Sequence, residues 1–258
     1  IREGIIRIIG DPATRYREDP LRLLRVVRFA AKLNFLIDSS TRAPIKQHGK
    51  DLKQISAPRL FDESLKLFMS GHGLKTFELL NEFDLLRHIF PRLFDSIESN
   101  VLHLKIIQKA LTNTDYRVEN KQRVTPAFIF AAFLWPEVQS NAKLLHSQGK
   151  SVRQALEDAA EHAIACQIRI TAIPKRFTLS MRQIWSLQIS LEKNIGARAH
   201  RLIHNPRFRA AYDFVLLREQ AGENLNGLGD WWTKYQTSDE KIQRKMISTR
   251  KQQHRGKR

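Results

Sequence analysis

Glu18 and Asp19 stand directly before Pro20, and Arg22, Arg25 and Arg28 follow at intervals of three. On a helix, at about 100° per residue, these arginines and Lys32 share one sector while Leu21, Leu24, Val27 and Ala31 lie elsewhere. Asp19 before Pro20 reads as a helix start, because a carboxylate accepts from the free N–H groups of the first turn and proline fits the first helical position. The same residues have a second use. An aspartate and an arginine one turn apart present an acceptor beside a planar set of donors, which is what matching the edge of a nucleobase requires. Locally the stretch permits both a capped helix with a solvated basic face and a device that reads a base.

Other chemistry-bearing residues are fewer. Arg59 and Glu63, in APRLFDESLKL, are spaced for an ordinary intrahelical ion pair or for bracing a ligand site. His200 and His204 could place two imidazoles on one helix face, but no neighbouring acid adds a third ligand and no HExxH pattern is present, so no metal site is expected. Trp231, Trp232 and Tyr235 beside Lys234 could stack RNA bases; packing of a last helix onto the body is the preferred reading, since exposed tryptophan pairs are rare. There is no P-loop, no nucleophile elbow and no D-x-D or D-x-E pair for two magnesium ions. Nothing in the sequence looks sufficient for catalysis alone.

The elements that must position these residues are helical. From residue 12 onward, apolar residues recur at spacings of three and four. They predict helices near 20–33, 42–55, 58–70, 74–83, 99–112, 125–147, 152–168, 175–191, 194–203, 207–222 and 229–236. Pro91 is expected to close a helix and Pro136 to kink or split the one over 125–147. The opening IREGIIRIIG reads as strand-like, and its abrupt start at Ile1 suggests a segment of a longer polypeptide. The fold class expected is all-α, with a neck over 1–88, a helical body over 89–237 and a flexible basic tail over 238–258.

The chain has 258 residues, 42% of them hydrophobic, enough for one large or two modest cores. Its 44 Lys and Arg against 26 acids give a net charge of +18 and a pI near 10.4, for which nucleic acid is the leading explanation. No apolar run is long enough to span a membrane and no signal peptide opens the chain, so it reads as soluble and cytoplasmic. A single cysteine, Cys166, excludes an intrachain disulfide. The last segment concentrates the charge in Arg244, Lys245, Arg250, Lys251, Arg255, Lys257 and Arg258, the candidate RNA-binding residues, with no acid among them.

IIRIIGDPATRYREDPLRLLRVVRFAAKL resembles the conserved-motif region of the nucleotidyltransferase superfamily that includes CCA-adding enzymes and bacterial poly(A) polymerases. APRLFDESLKLF, TPAFIFAAFLW, IPKRFTLSMRQIWSLQ and HNPRFRAAYDFVLLR resemble the bacterial poly(A) polymerases specifically. The resemblance implies that Asp19 and Arg22 face the base of the incoming nucleotide. Arg25 and Glu18 would complete that motif, with Arg28, Arg59 and Glu63 as support. It further implies transfer of AMP from ATP to RNA 3′ ends, with magnesium held by a head domain that would precede Ile1. Partners implied are RNA 3′ ends, ATP and an RNA-decay helicase or other RNA-degradation proteins. The alternatives are a non-catalytic RNA-binding protein derived from the family and a CCA-adding enzyme fragment.

Overall fold

The computed structural model describes the backbone of residues 3–193 and 197–255, and the side chains within those spans except at 197 and 249–255. Two-residue strands β1 (Ile5–Ile6) and β2 (Leu36–Ile37) pair in parallel, the small remnant of the strand-like opening. Between them lie α1 (Pro12–Glu18) and α2 (Leu21–Leu33). The segment predicted as one helix over 42–55 is instead broken into α3 (Ser39–Arg42), α4 (Ile45–His48) and a 3-10 turn (Gly49–Gln54). Pro44 removes a donor at the first break, and a side chain on Gly49 would press on His88 and Leu85.

The chain continues through α5 (Ala57–Phe68), α6 (Gly73–Glu82), α7 (Leu86–Ile89), α8 (Pro91–Ser99), α9 (Val101–Glu119), α10 (Pro126–Ser147) and α11 (Val152–Ile168). It ends in α12 (Lys175–Glu192), α13 (Ala197–Ile203), α14 (Phe208–Gln220), α15 (Leu228–Thr237) and α16 (Glu240–Arg255). Pro91, expected as a terminator, opens α8 at its first turn, where its missing N–H costs nothing. Pro136 sits inside an unbroken α10. Residues 129–136 are all buried, and the Trp185 indole donates to the Ala131 carbonyl at 3.2 Å, so packing holds the helix through the missing hydrogen bond. Among the described residues no helix is long and apolar enough to cross a membrane.

One apolar cluster runs from Tyr16 to Ala221 and includes the stacked and edge-on rings of Phe61, Phe68, Phe90, Phe130 and Phe133. A smaller one joins Leu191, Ala199, Phe208, Tyr212, Trp232 and Tyr235. Helix α14 is the shared wall, giving Phe214 and Leu217 to the first cluster and Ala211, Tyr212 and Val215 to the second. The expected tail begins as α16, which rests Met246 and Ile247 against the smaller cluster.

Candidate functional site

Helix α2 turns Leu23, Leu24, Val26 and Val27 into the core and packs on α5 and α6, which leaves its arginine sector along the α5 edge. Asp19 does not cap this helix through its side chain; α2 carries no side-chain cap at Pro20, and Asp19 is the residue that terminates α1. Its carboxylate is spent elsewhere. Oδ1 accepts from Arg59 at 3.2 Å, and Oδ2 lies 3.7 Å from Arg25. The anticipated Arg59–Glu63 pairing is therefore replaced by contacts between helices. Glu63, buried on α5, accepts from Arg28 Nε at 2.9 Å, with Lys66 at 3.7 Å and Arg25 at 4.0 Å.

Arg25 links the two carboxylates, so Asp19, Arg25, Arg28, Arg59, Glu63 and Lys66 form one network across α2 and α5. Lys66 was not singled out in the sequence, although its spacing of three from Glu63 was a usable signal. Arg22 leaves the same turn as Asp19, its backbone N–H donating to the Asp19 carbonyl at 3.0 Å. Arg22 Nε is buried and has no hydrogen-bond partner among the described residues. A buried donor without an acceptor is costly unless something else supplies one. Four cations thus surround two carboxylates, and one guanidinium nitrogen of the neighbouring Arg22 is left to pair. Glu18 stands apart, paired with Arg15 on its own helix.

The remaining candidates are dispersed. Trp232 and Tyr235 are fully buried in the smaller core, and the Trp232 indole donates to the Leu191 carbonyl at 3.1 Å. Trp231 lies flat on Tyr235 with centroids 4.8 Å apart, so this aromatic group is packing rather than an open platform. The His200 and His204 rings meet edge-on. Arg244 pairs with Glu240 at 3.3 Å, and Lys245 lies on the same helix. The side chains of Arg250, Lys251 and Arg255 are outside the described set, as are Lys257 and Arg258 altogether.

Comparison with known proteins finds two family matches. "Probable RNA and SrmB- binding site of polymerase A" covers residues 34–97, and "Polymerase A arginine-rich C-terminus" covers residues 148–258. Poly(A) polymerase I of Salmonella typhi is 41% identical over 254 residues, 96% of this chain and 54% of the relative. A CCA-adding enzyme of Lactobacillus helveticus is 32% identical over only 45% of this chain and 32% of its own length. A CCA-adding enzyme solved with ATP superposes with a TM-score of 0.58 at 17% identity, covering 95% of this chain and 54% of that one, a likeness of fold. The chain spans about half the length of the poly(A) polymerase relatives it matches.

Proposed function

Since the chain belongs to the bacterial poly(A) polymerase I family, we propose that it is the part of an RNA adenylyltransferase that selects the adenine of ATP and holds the RNA whose 3′ end is extended. The observation that carries the base-selection reading is the buried, unpartnered Arg22 Nε one turn from a carboxylate clamped by Arg59 and Arg25. A clamped carboxylate keeps one orientation, and a donor already desolvated gains most from an acceptor that fits. The edge of adenine offers both an amino donor and ring-nitrogen acceptors. In this reading Asp19 accepts from the base and Arg22 donates to it. Arg25 and Arg59 position Asp19, and Glu63 with Arg28 stiffens the pair of helices beneath.

Magnesium does not fit here. Asp19 and Glu63 are each engaged by guanidinium groups, and among the described residues no cluster of three His, Cys, Asp or Glu could hold an ion. The reading therefore assigns magnesium and the transfer chemistry to the part of the relatives' length that this chain does not span. The RNA would meet the basic surface, including α16 and, beyond it, Lys257 and Arg258. An RNA-decay helicase or other RNA-degradation protein would be the protein partner, and the family matched over residues 34–97 is described as a binding site for RNA and SrmB. We place the protein in the cytoplasm, where its RNA substrates are.

Arg22→Ala in the full-length enzyme is expected to lower kcat/KM for ATP and the preference for ATP over CTP by about tenfold or more, the scale of one two-pronged base contact. RNA affinity should be unchanged. Steady-state kinetics with each of the four nucleotides test this, and an equal loss for all four at unaltered preference would remove base reading from Arg22.

A further inference from the structure

Far along the chain from that motif, the end of α9, the turn over 120–125, the start of α10 and the start of α14 enclose a cavity of about 660 Å³, within the size range of ligand sites. Its walls hold Arg117, Arg123, Arg207 and Arg209, and Asp213 is the one acid among them. That carboxylate is shared between Arg209, at 3.1 Å, and Arg117, at 3.5 Å. Arg117 Nε is nonetheless buried without a hydrogen-bond partner among the described residues. Gln183 accepts from Arg207 Nε at 2.9 Å and steadies it, while its terminal nitrogens have no partner among the described residues. Arg123 makes no hydrogen bond or ion pair among them. Thr125 lines the cavity at the start of the 22-residue α10 and offers no side-chain cap, so the helix end adds positive potential. Beside the arginines stands Tyr116, 61% exposed.

We propose that this groove binds a short stretch of single-stranded RNA, the arginines gripping successive phosphates and Tyr116 stacking a base. The proposal rests on the RNA-binding part of the reading above and gives it a location. Guanidinium forks match phosphate oxygens in pairs, and an exposed ring next to a cationic track is the combination that holds unpaired strands without reading their sequence. An acidic peptide would use the same charges but has no need of the ring. Residues 113–129, which supply more than half of the groove's lining, lie outside both matched family segments.

Fluorescence anisotropy with a labelled oligoadenylate tests it, using the whole chain. Arg123→Ala with Arg207→Ala should weaken binding about tenfold or more at low salt and make the log–log salt slope shallower by about 1.4, two phosphate contacts at about 0.7 each. Arg123→Ala alone, a side chain with no hydrogen bond or ion pair among the described residues, should give about half that change in slope, which a folding defect would not mimic. Tyr116→Leu should cost about fivefold or more with the slope unchanged. Wild-type affinity and slope in all three variants, while the parent binds RNA, would overturn the groove and leave the broader RNA reading standing. Absence of RNA binding by the parent at low salt would overturn both. Displacement of the oligonucleotide by polyglutamate, with Tyr116→Leu indistinguishable from the parent, would reassign the groove to acidic peptides.

Discussion

Glu63 is 2% exposed and still has Arg28, Lys66 and Arg25 within 4.0 Å. A carboxylate out of water is tolerated only with such partners, and removing it strands their charge. Glu63→Ala is expected to destabilise the chain by about 2–4 kcal/mol, short of the largest values for buried pairs because Arg25 and Lys66 reach solvent. The urea midpoint should fall with the m-value unchanged, and an unmoved midpoint would show that the network contributes nothing to stability. At this scale the arginine row was legible, since spacings of three on one helix are a local property. The partners were not. Arg59 and Glu63 have the spacing of an ion pair, yet Asp19 takes the first and Arg28 meets the second, because α2 and α5 bring those groups together across 35 to 40 residues of sequence.

Helix α6 begins at Gly73 with no cap of its own, and Asp115 on α9 supplies it, accepting from Gly73 N at 2.7 Å and Leu74 N at 3.0 Å. A side chain at Gly73 would come within 2.8 Å of the Phe68 carbonyl, so glycine lets the turn after α5 close tightly. Asp115→Ala should cost about 1 kcal/mol, the worth of a helix cap, and amide exchange in the first turn of α6 should rise more than in its centre. Uniform loss of protection would mean Asp115 acts on the whole fold instead. Helices with an amphipathic run, such as α5 and α12, were legible because periodicity reports the buried face directly. The short helices α1, α7 and α8 were not, since elements of four to nine residues carry too few turns for a period to stand out. Pro136 was misleading for the opposite reason. Its local cost is real, but the packing around α10 is larger.

The two apolar clusters meet along α12 and α14, and the buried Arg218 lies at that seam. Its guanidinium donates to Glu223 at 2.7 and 2.9 Å and to Gln188 at 2.9 Å, and it lies over the Trp135 ring. Burial alone would raise the Glu223 pKa, but the hydrogen bonds and charge of Arg218, with help from Gln139, outweigh it and hold the carboxyl below its usual value. A depressed folded pKa means stability that is present above the unfolded value, about 4.3, and is lost as pH falls through that value towards the folded one. Chemical denaturation across acid pH should therefore show part of the stability disappearing there, and Glu223→Gln should flatten that limb while lowering stability at neutral pH. An acid limb identical to the parent's would exclude Glu223 as its source. What the sequence by itself determined was the helical class, the surplus of positive charge and the arginine row of α2, because composition, period and short spacing are properties of neighbouring residues. Tertiary structure decided which cation holds Asp19, whether α10 runs through its proline, and the meeting of 113–129 with 206–220 in one arginine-lined groove. Those outcomes depend on which surfaces exclude water against each other, and segments about ninety residues apart carry no local signal of that choice.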